Sequence, residues 1–355
     1  MTKLSSHERF LRMYRHQEAD RIPFLDGPWA STIERWHNEG MPRGVDYTDY
    51  FDLDKVAFIS VDNSPRYEEK IIEETDDYVI STTQWGATLK NFKKHGGVPE
   101  FLDFRIKDFE CWLDAKKRMT FDESRIPWDY LKENYPKWQK EGYWIRANFW
   151  FGFDVSHSWA VGTERFLMAM IEDPDWCTDM YDTYLKLDMA LMQRIWDAGY
   201  RFDEISWPND MGYKQNQFFS MSMFRRMDKP YIKRAIDWAH ERGAFARLHS
   251  CGDINPFVPE LVELGLDALN PLEVKAGMNP AQLKNAYGDK LVFHGGINAV
   301  LWDKPDLIKE EIRRVVPVMK ENGGYIFSSD HSIPENVSLE DFKGIIEEAK
   351  KCGKY

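Results

Sequence analysis

The chain's 355 residues are 43% hydrophobic and 30% charged, enough apolar material for a packed core under a wetted surface, which excludes disordered and fibrous classes. An excess of 59 acidic over 47 basic side chains gives a formal charge of −12, which repels phosphate backbones and anionic headgroups alike, so neither nucleic acid nor a membrane is expected as a partner. The four cysteines form no paired framework, the first residues are too polar for a signal peptide, and no run of about 18 apolar residues occurs; a reducing cytoplasm is the expected compartment.

In chain order, the polar opening segment MTKLSSHERFLRMYRHQEADR leads into a short apolar run, RIPF (21–24), followed by KVAFISVD (55–62). The stretch TDDYVISTTQWGATLKNF (75–92) alternates with the period of an antiparallel hairpin and is expected to decorate one end of the fold, as an insertion spanning about 75–105. His95-Gly96-Gly97-Val98-Pro99 reads as a turn whose glycines would let it act as a lid. The aromatic run YWIRANFWFGF (143–153) is the third strand candidate.

From about residue 160, apolar runs ending in Gly, Pro, Asn or Asp alternate with helical patterns. The runs are EISWPND (204–210), AFARLHSCGD (244–253), DALNPLE (267–273), LVFHGGIN (291–298) and GYIFSSDH (324–331). Between and before them lie helical stretches, among them Asp175 to Asp197, Pro280 to Tyr287 and Lys304 to Lys320. Such spacing predicts parallel βαβ units, and eight runs are the number that closes a (β/α)8 TIM barrel. The expected fold is therefore one α/β barrel domain over residues 1–355 with an N-terminal helical extension; an open doubly wound sheet is the alternative. No G-x-G-x-x-G or P-loop signature opens any helix.

Catalysis in such barrels sits where strands end in βα loops. The run ends supply Asp210, His249, Cys251, Glu273, His294, Asp330 and His331. Thiolate, imidazole and carboxylate are the donors zinc takes, and Cys251, Glu273 and His294 fall at intervals of about one βα unit, so three successive strand ends can face one ion. His249 is then a fourth ligand or a donor that orients one. Each residue also has a plain structural reading. His294 before Gly-Gly suits a turn, Cys251 a small buried hydrophobe, and Glu273 a helix N-terminus. Asp210, His249, Asp330 and His331 are the catalytic candidates, with Asp210 equally readable as a turn residue and Asp330-His331 as a plain loop. The chain's aromatic content of 15% suggests a ring-walled pocket, with Trp150, Phe151 and His157 as candidate substrate contacts, or else as core.

The run HSCGDINPFVPELVELGLDALNPLE followed by YGDKLVFHGGIN resembles the uroporphyrinogen decarboxylase superfamily, and more closely its corrinoid-dependent methyltransferase branch. HERFLRMYRHQEADRIPF, WPNDMGYK and GGYIFSSDHSIPENVSLEDF extend the likeness over nearly the whole chain. The resemblance implies a (β/α)8 barrel. Porphyrinogen decarboxylases carry Arg-Gln-Ala-Gly-Arg after the first strand to hold a polycarboxylate; DGPWASTIERWHNEG stands there instead, which argues against that substrate. The methyltransferase branch implies zinc on a His-x-Cys pair plus a later Cys. His249-Ser250-Cys251 matches the pair, whereas FSSDHS lacks the later thiol, and Glu273 and His294 are expected in its place.

The implied reaction is methyl transfer from a small methylated substrate, a methoxylated aromatic by preference, to a corrinoid on a separate carrier protein, because these residues contain no D-x-H-x-x-G segment of their own. The alternatives are transfer from methylcobalamin to a thiol of the coenzyme M type, decarboxylation of a small acid, and a non-catalytic ligand-binding barrel. A homodimer is left open.

Overall fold

The computed structural model describes residues 3–93 and 98–355. His95, Gly96 and Gly97 of the expected lid turn lie outside the described residues. Seven strands form one parallel sheet in the order β1 (Val56–Ser60), β6 (Trp144–Asn148), β7 (Glu204–Pro208), β10 (Phe245–His249), β11 (Ala268–Asn270), β12 (Val292–His294) and β13 (Tyr325–Ile326). The eighth predicted run closes the ring beyond β13. Phe24 bridges Phe327 in parallel, and Phe327 N–H reaches the carbonyl of Pro23 at 2.9 Å. That run is a stave rather than a full strand because Pro23 has no N–H to give a ladder. The architecture is that of a (β/α)8 barrel.

The expected hairpin is β3 (Tyr78–Thr82) with β4 (Ala87–Phe92), paired antiparallel. It belongs to a wider four-stranded sheet in which β2 (Ile71–Glu74) and β5 (Glu100–Phe104) flank it. A small ribbon, β8 (Gly212–Tyr213) with β9 (Asn216–Gln217), follows β7. No helix among the described residues is long and apolar enough to cross a membrane.

Alternation along the strands puts polar groups inside the barrel. Arg146, Glu204 and Arg247 are all buried there, and register joins Arg146 to Glu204 and Arg247 to Ser206. The helix Ser6–Tyr14 seals the amino end. It is started by a capping box between Ser5 and Glu8, and Phe10 and Tyr14 stack on Trp144 at 5.4 and 5.1 Å. Glu204 accepts hydrogen bonds from Tyr14 Oη, Arg146 Nε and, at 2.8 Å, Trp144 Nε1, so its charge is matched and its oxygens are filled.

Candidate active site

A cavity of about 790 Å³ opens at the carboxyl end of the barrel, with Trp29, Tyr47 and Phe58 on its walls and His249, Cys251 and His294 among its polar lining. Phe58 is 45% exposed although it sits on a barrel strand, which shows that the interior is hollow beside it.

Two loops bring the chemistry together. After β7 and β10 the backbone of Gly212 and Gly252 comes so close that a Cβ on Gly252 would stand 2.1 Å from the Gly212 carbonyl carbon, and Gly252 has φ +83°. Only glycine is tolerated at such a crossing. The loops are then zipped by Asp253 N–H to Tyr213 O at 3.0 Å, Asn209 N–H to His249 O at 2.7 Å and Cys251 N–H to Asp210 Oδ1 at 2.7 Å. The result is one cluster. Asp210, His249 and Cys251 each offer a ligand atom, all within 4.8 Å of one another; His249 Nε2 is 3.5 Å from Cys251 Sγ and 3.8 Å from Asp210 Oδ1.

The hydrogen bonds of His249 decide which nitrogen faces this cluster. Asn270 Nδ2 donates to the His294 carbonyl at 3.1 Å, so Asn270 Oδ1 is the acceptor for His249 Nδ1 at 2.8 Å. Network logic thus assigns the His249 proton to Nδ1 and leaves the Nε2 lone pair turned to Cys251 and Asp210. Burial lowers the His249 pKa, favouring the neutral ring. The Cys251 thiol is pushed well up by burial and by the neighbouring carboxylates of Asp210, Glu273 and Asp154.

Glu273 and His294 stand outside that cluster. Glu273 is tied to the Gly252 N–H through Oε2 and to Lys275 Nζ through Oε1 at 3.2 Å. His294 is buried, with Nδ1 3.3 Å from Arg247 Nη2. The structure therefore groups Cys251 with different partners from those its one-unit spacing suggested. Asp330 is buried and holds two loops, its oxygens accepting from Val274 N–H at 2.8 Å and Ala299 N–H at 2.7 Å. His331 is exposed on the cavity rim beside Trp29, ring centroids 6.2 Å apart.

The three expected substrate contacts lie away from the cavity lining. Phe151 is buried against Trp207 at 5.4 Å, and His157 packs on Phe153 at 4.3 Å, with burial pushing its pKa down to about 4. Trp150 is fixed by its N–H to Asp188 Oδ2 at 2.7 Å and its carbonyl to Asn63 Nδ2 at 2.8 Å. Asn209 Oδ1 takes the Phe153 N–H at 2.9 Å, and Phe149, Phe151 and Phe153 are turned into the core.

Two further carboxyl groups stand near the site. Asp154, packed towards Asp210, is raised to about 7 by burial and then by that carboxylate. Asp26, on the cavity wall, is also raised to about 7 by burial, while accepting from the N–H of Gly27 and Ser329. Asp26 ends the first stave, so the strand-end rule applied to RIPFLD would have found it.

Residues 157–352, more than half of the chain, match the family described as uroporphyrinogen decarboxylase (URO-D). The chain belongs to that family. A 67-residue segment is 31% identical to the uroporphyrinogen decarboxylase of Vesicomyosocius okutanii subsp. Calyptogena okutanii (strain HA), an alignment that spans 19% of each chain. Over the full length, the fold is similar to that of a methyltransferase from Methanosarcina mazei, with a TM-score of 0.63 at 15% identity, covering 98% of this chain and 99% of the other. Membership in the URO-D family rests on sequence over residues 157–352, and the likeness to the Methanosarcina protein is one of fold.

Proposed function

We propose that this URO-D family chain is a zinc-dependent methyltransferase. It takes a methyl group from a small methylated substrate, a methoxylated aromatic by preference, and passes it to a corrinoid on a separate carrier protein. The observation that carries the reading is the convergence of a carboxylate oxygen of Asp210, a ring nitrogen of His249 and Cys251 Sγ within 4.8 Å at the mouth of a large cavity. Carboxylate, neutral imidazole and thiolate make a donor set suited to zinc, and three protein ligands leave one position for substrate. The fit is strengthened by the assigned tautomer of His249, which presents a lone pair rather than a proton. The fold of the Methanosarcina methyltransferase is in keeping with this class.

Zinc held by these residues supplies Lewis acidity toward an ether oxygen, which makes a poor leaving group easier to expel. The protein's own contributions are positional. Asn270 fixes the His249 ring, Asp210 locks the Cys251 loop through its N–H, and Trp29, Tyr47 and Phe58 give an aromatic substrate flat surfaces to lie against. The walls hold the substrate; the open mouth leaves room for the carrier.

The test is metal content together with methyl transfer. Purified protein reconstituted with zinc is expected to hold one ion per chain, and with reduced corrinoid and a panel of methoxyarenes to give the Co–CH₃ absorption. Full transfer by zinc-free protein removes the metal from the proposal, and methyl loss to an added thiol with no demethylation reverses the direction.

A further inference from the structure

The four-stranded insertion leaves the barrel after β1 and is anchored by its inner face. Ala87 and Leu89 of β4 are buried, Phe101 of β5 packs edge-on against Trp159 at 5.9 Å, and the Phe104 ring lies so close to Gly162 that a Cβ there would meet it at 2.9 Å. The outer strand has no such support. β2 pairs with β3 alone, and all four of its residues are exposed, Ile71 by 65% and Ile72 by 60%. Two large aliphatic side chains in succession on an open edge are an arrangement that soluble proteins ordinarily avoid.

The backbone is also turned outward. Lys70 gives its N–H to Thr82 Oγ1 and takes the Thr82 N–H on its carbonyl, both at 2.9 Å. Lys70 therefore faces β3, and alternation turns the N–H and carbonyl of Ile71 to the open edge. The register then steps from Ile71 opposite Ser81 to Glu73 opposite Ile80, a bulge that leaves Ile72 with no residue across from it. Lysine or proline often guards an edge at such a point; here isoleucine stands there. Among the described residues, no strand covers this edge.

The strand's own charges name the occupant. Read from Lys70, the edge is Lys-Ile-Ile-Glu-Glu, positive at one end, apolar in the middle and negative at the other. Turned end for end against a copy of itself about Ile72, it sets Ile72 on Ile72 and Lys70 opposite Glu74 of the second copy, twice over by symmetry. Their present partners, Glu68 for Lys70 and Lys93 for Glu74, form exposed ion pairs worth at most about 1 kcal/mol each, which are readily exchanged. The sheet's other edge, β5, suits β2 less: Glu100-Phe101-Leu102-Asp103-Phe104 brings two acids and no base to a strand that already has two acids. We propose that the β2 edge is a homodimer interface, in which two copies of this chain pair β2 antiparallel across a two-fold axis and join their insertions into one continuous sheet. The inference is independent of the methyltransferase reading. Four residues a side make a small interface, so the dimer is a weak one that forms and parts with concentration.

Sedimentation velocity on the full chain over about 5–200 µM tests it. The weight-average mass is expected to climb from 42.0 kDa toward twice that and stop there. The Ile71 amide should gain hydrogen-exchange protection over the same range. Ile72→Lys puts a charge at the apolar centre, and Lys70→Glu sets glutamate against glutamate. Each is expected to weaken association about tenfold or more, the second because two symmetry-related pairs turn from attraction to repulsion. Adding Glu74→Lys to Lys70→Glu should restore it. Far-UV circular dichroism is expected to be the same throughout, since every change is to an exposed side chain. A mass fixed at 42.0 kDa at every concentration overturns the proposal. So does a dimer as strong in both single variants as in the parent, which puts the interface elsewhere, and so does a double variant that fails to recover. A mass that grows without limit overturns it as well, since that is the mark of head-to-tail pairing of β2 on β5.

Discussion

At the amino end of the barrel, Glu204 gathers Tyr14, Trp144 and Arg146, and aromatic rings from the first helix shut the opening. At the carboxyl end, ligand atoms of His249, Cys251 and Asp210 lie within 4.8 Å of one another. Both ends bury ionisable side chains. The first gives its carboxylate three donors from the protein itself, while the second gathers three side chains of metal-ligand type around one point, as expected where a ligand completes the network.

The largest effect is expected from breaking the closed end. Glu204→Ala leaves Arg146 buried without its carboxylate and strands two further donors, a loss of about 3–5 kcal/mol. Chemical denaturation checks it, and zinc binding per folded molecule should be unchanged. A loss below about 1 kcal/mol would mean that this end is no more committed to stability than the mouth.

Gly252→Ala strikes the crossing that makes the open end. With φ at +83° and the Gly212 carbonyl carbon 2.1 Å from the new Cβ, the two loops must part. Destabilisation of about 2–4 kcal/mol is expected, together with loss of zinc affinity as Asp210 is carried away from Cys251. Retained affinity would show that Asp210 is not a ligand.

Asn270→Leu sharpens the contrast, because it removes the acceptor that fixes His249 while leaving all three donors in place. Zinc affinity should fall about 10–100-fold with little change in far-UV circular dichroism. Unchanged affinity would refute the role assigned to the His249 tautomer.

These variants also mark where the sequence was legible. All eight apolar runs became staves because strand periodicity and strand-end punctuation are local properties, readable residue by residue. The rule that chemistry sits at strand ends put Asp210, His249 and Cys251 on the page for the same reason. It could not say which ends meet. Glu273 and His294 stand one βα unit apart, as a shared ion would require, yet Glu273 is drawn to the Gly252 N–H and Lys275, and His294 to Arg247. Those choices depend on contacts between loops and on a cation two residues back from His249. Likewise, FWFGF reads as pocket wall or core with equal ease until Asn209 and Asp188 fix its backbone inward.

The smallest effect concerns a buried acid that serves neither end. Asp228 is fully buried, accepts from Asn209 Nδ2 at 2.6 Å through Oδ2, has Oδ1 unpartnered, and is raised to about 7 by burial. Its folded form holds a proton that the unfolded chain gives up near pH 4, so this residue's contribution is fully present below pH 4 and is lost as pH rises toward 7. Asp228→Asn keeps an acceptor for Asn209 and cannot ionise. It should match the parent near pH 4 and exceed it above pH 7 by about 1–3 kcal/mol. Denaturant midpoints across that range test the sign, and a variant whose deficit or advantage is the same at every pH would show that Asp228 does not hold its proton in the fold. Because Asn209 also accepts the Phe153 N–H, any gain obtained without loss of zinc affinity would show that the carboxyl-end loops tolerate a neutral residue at this position.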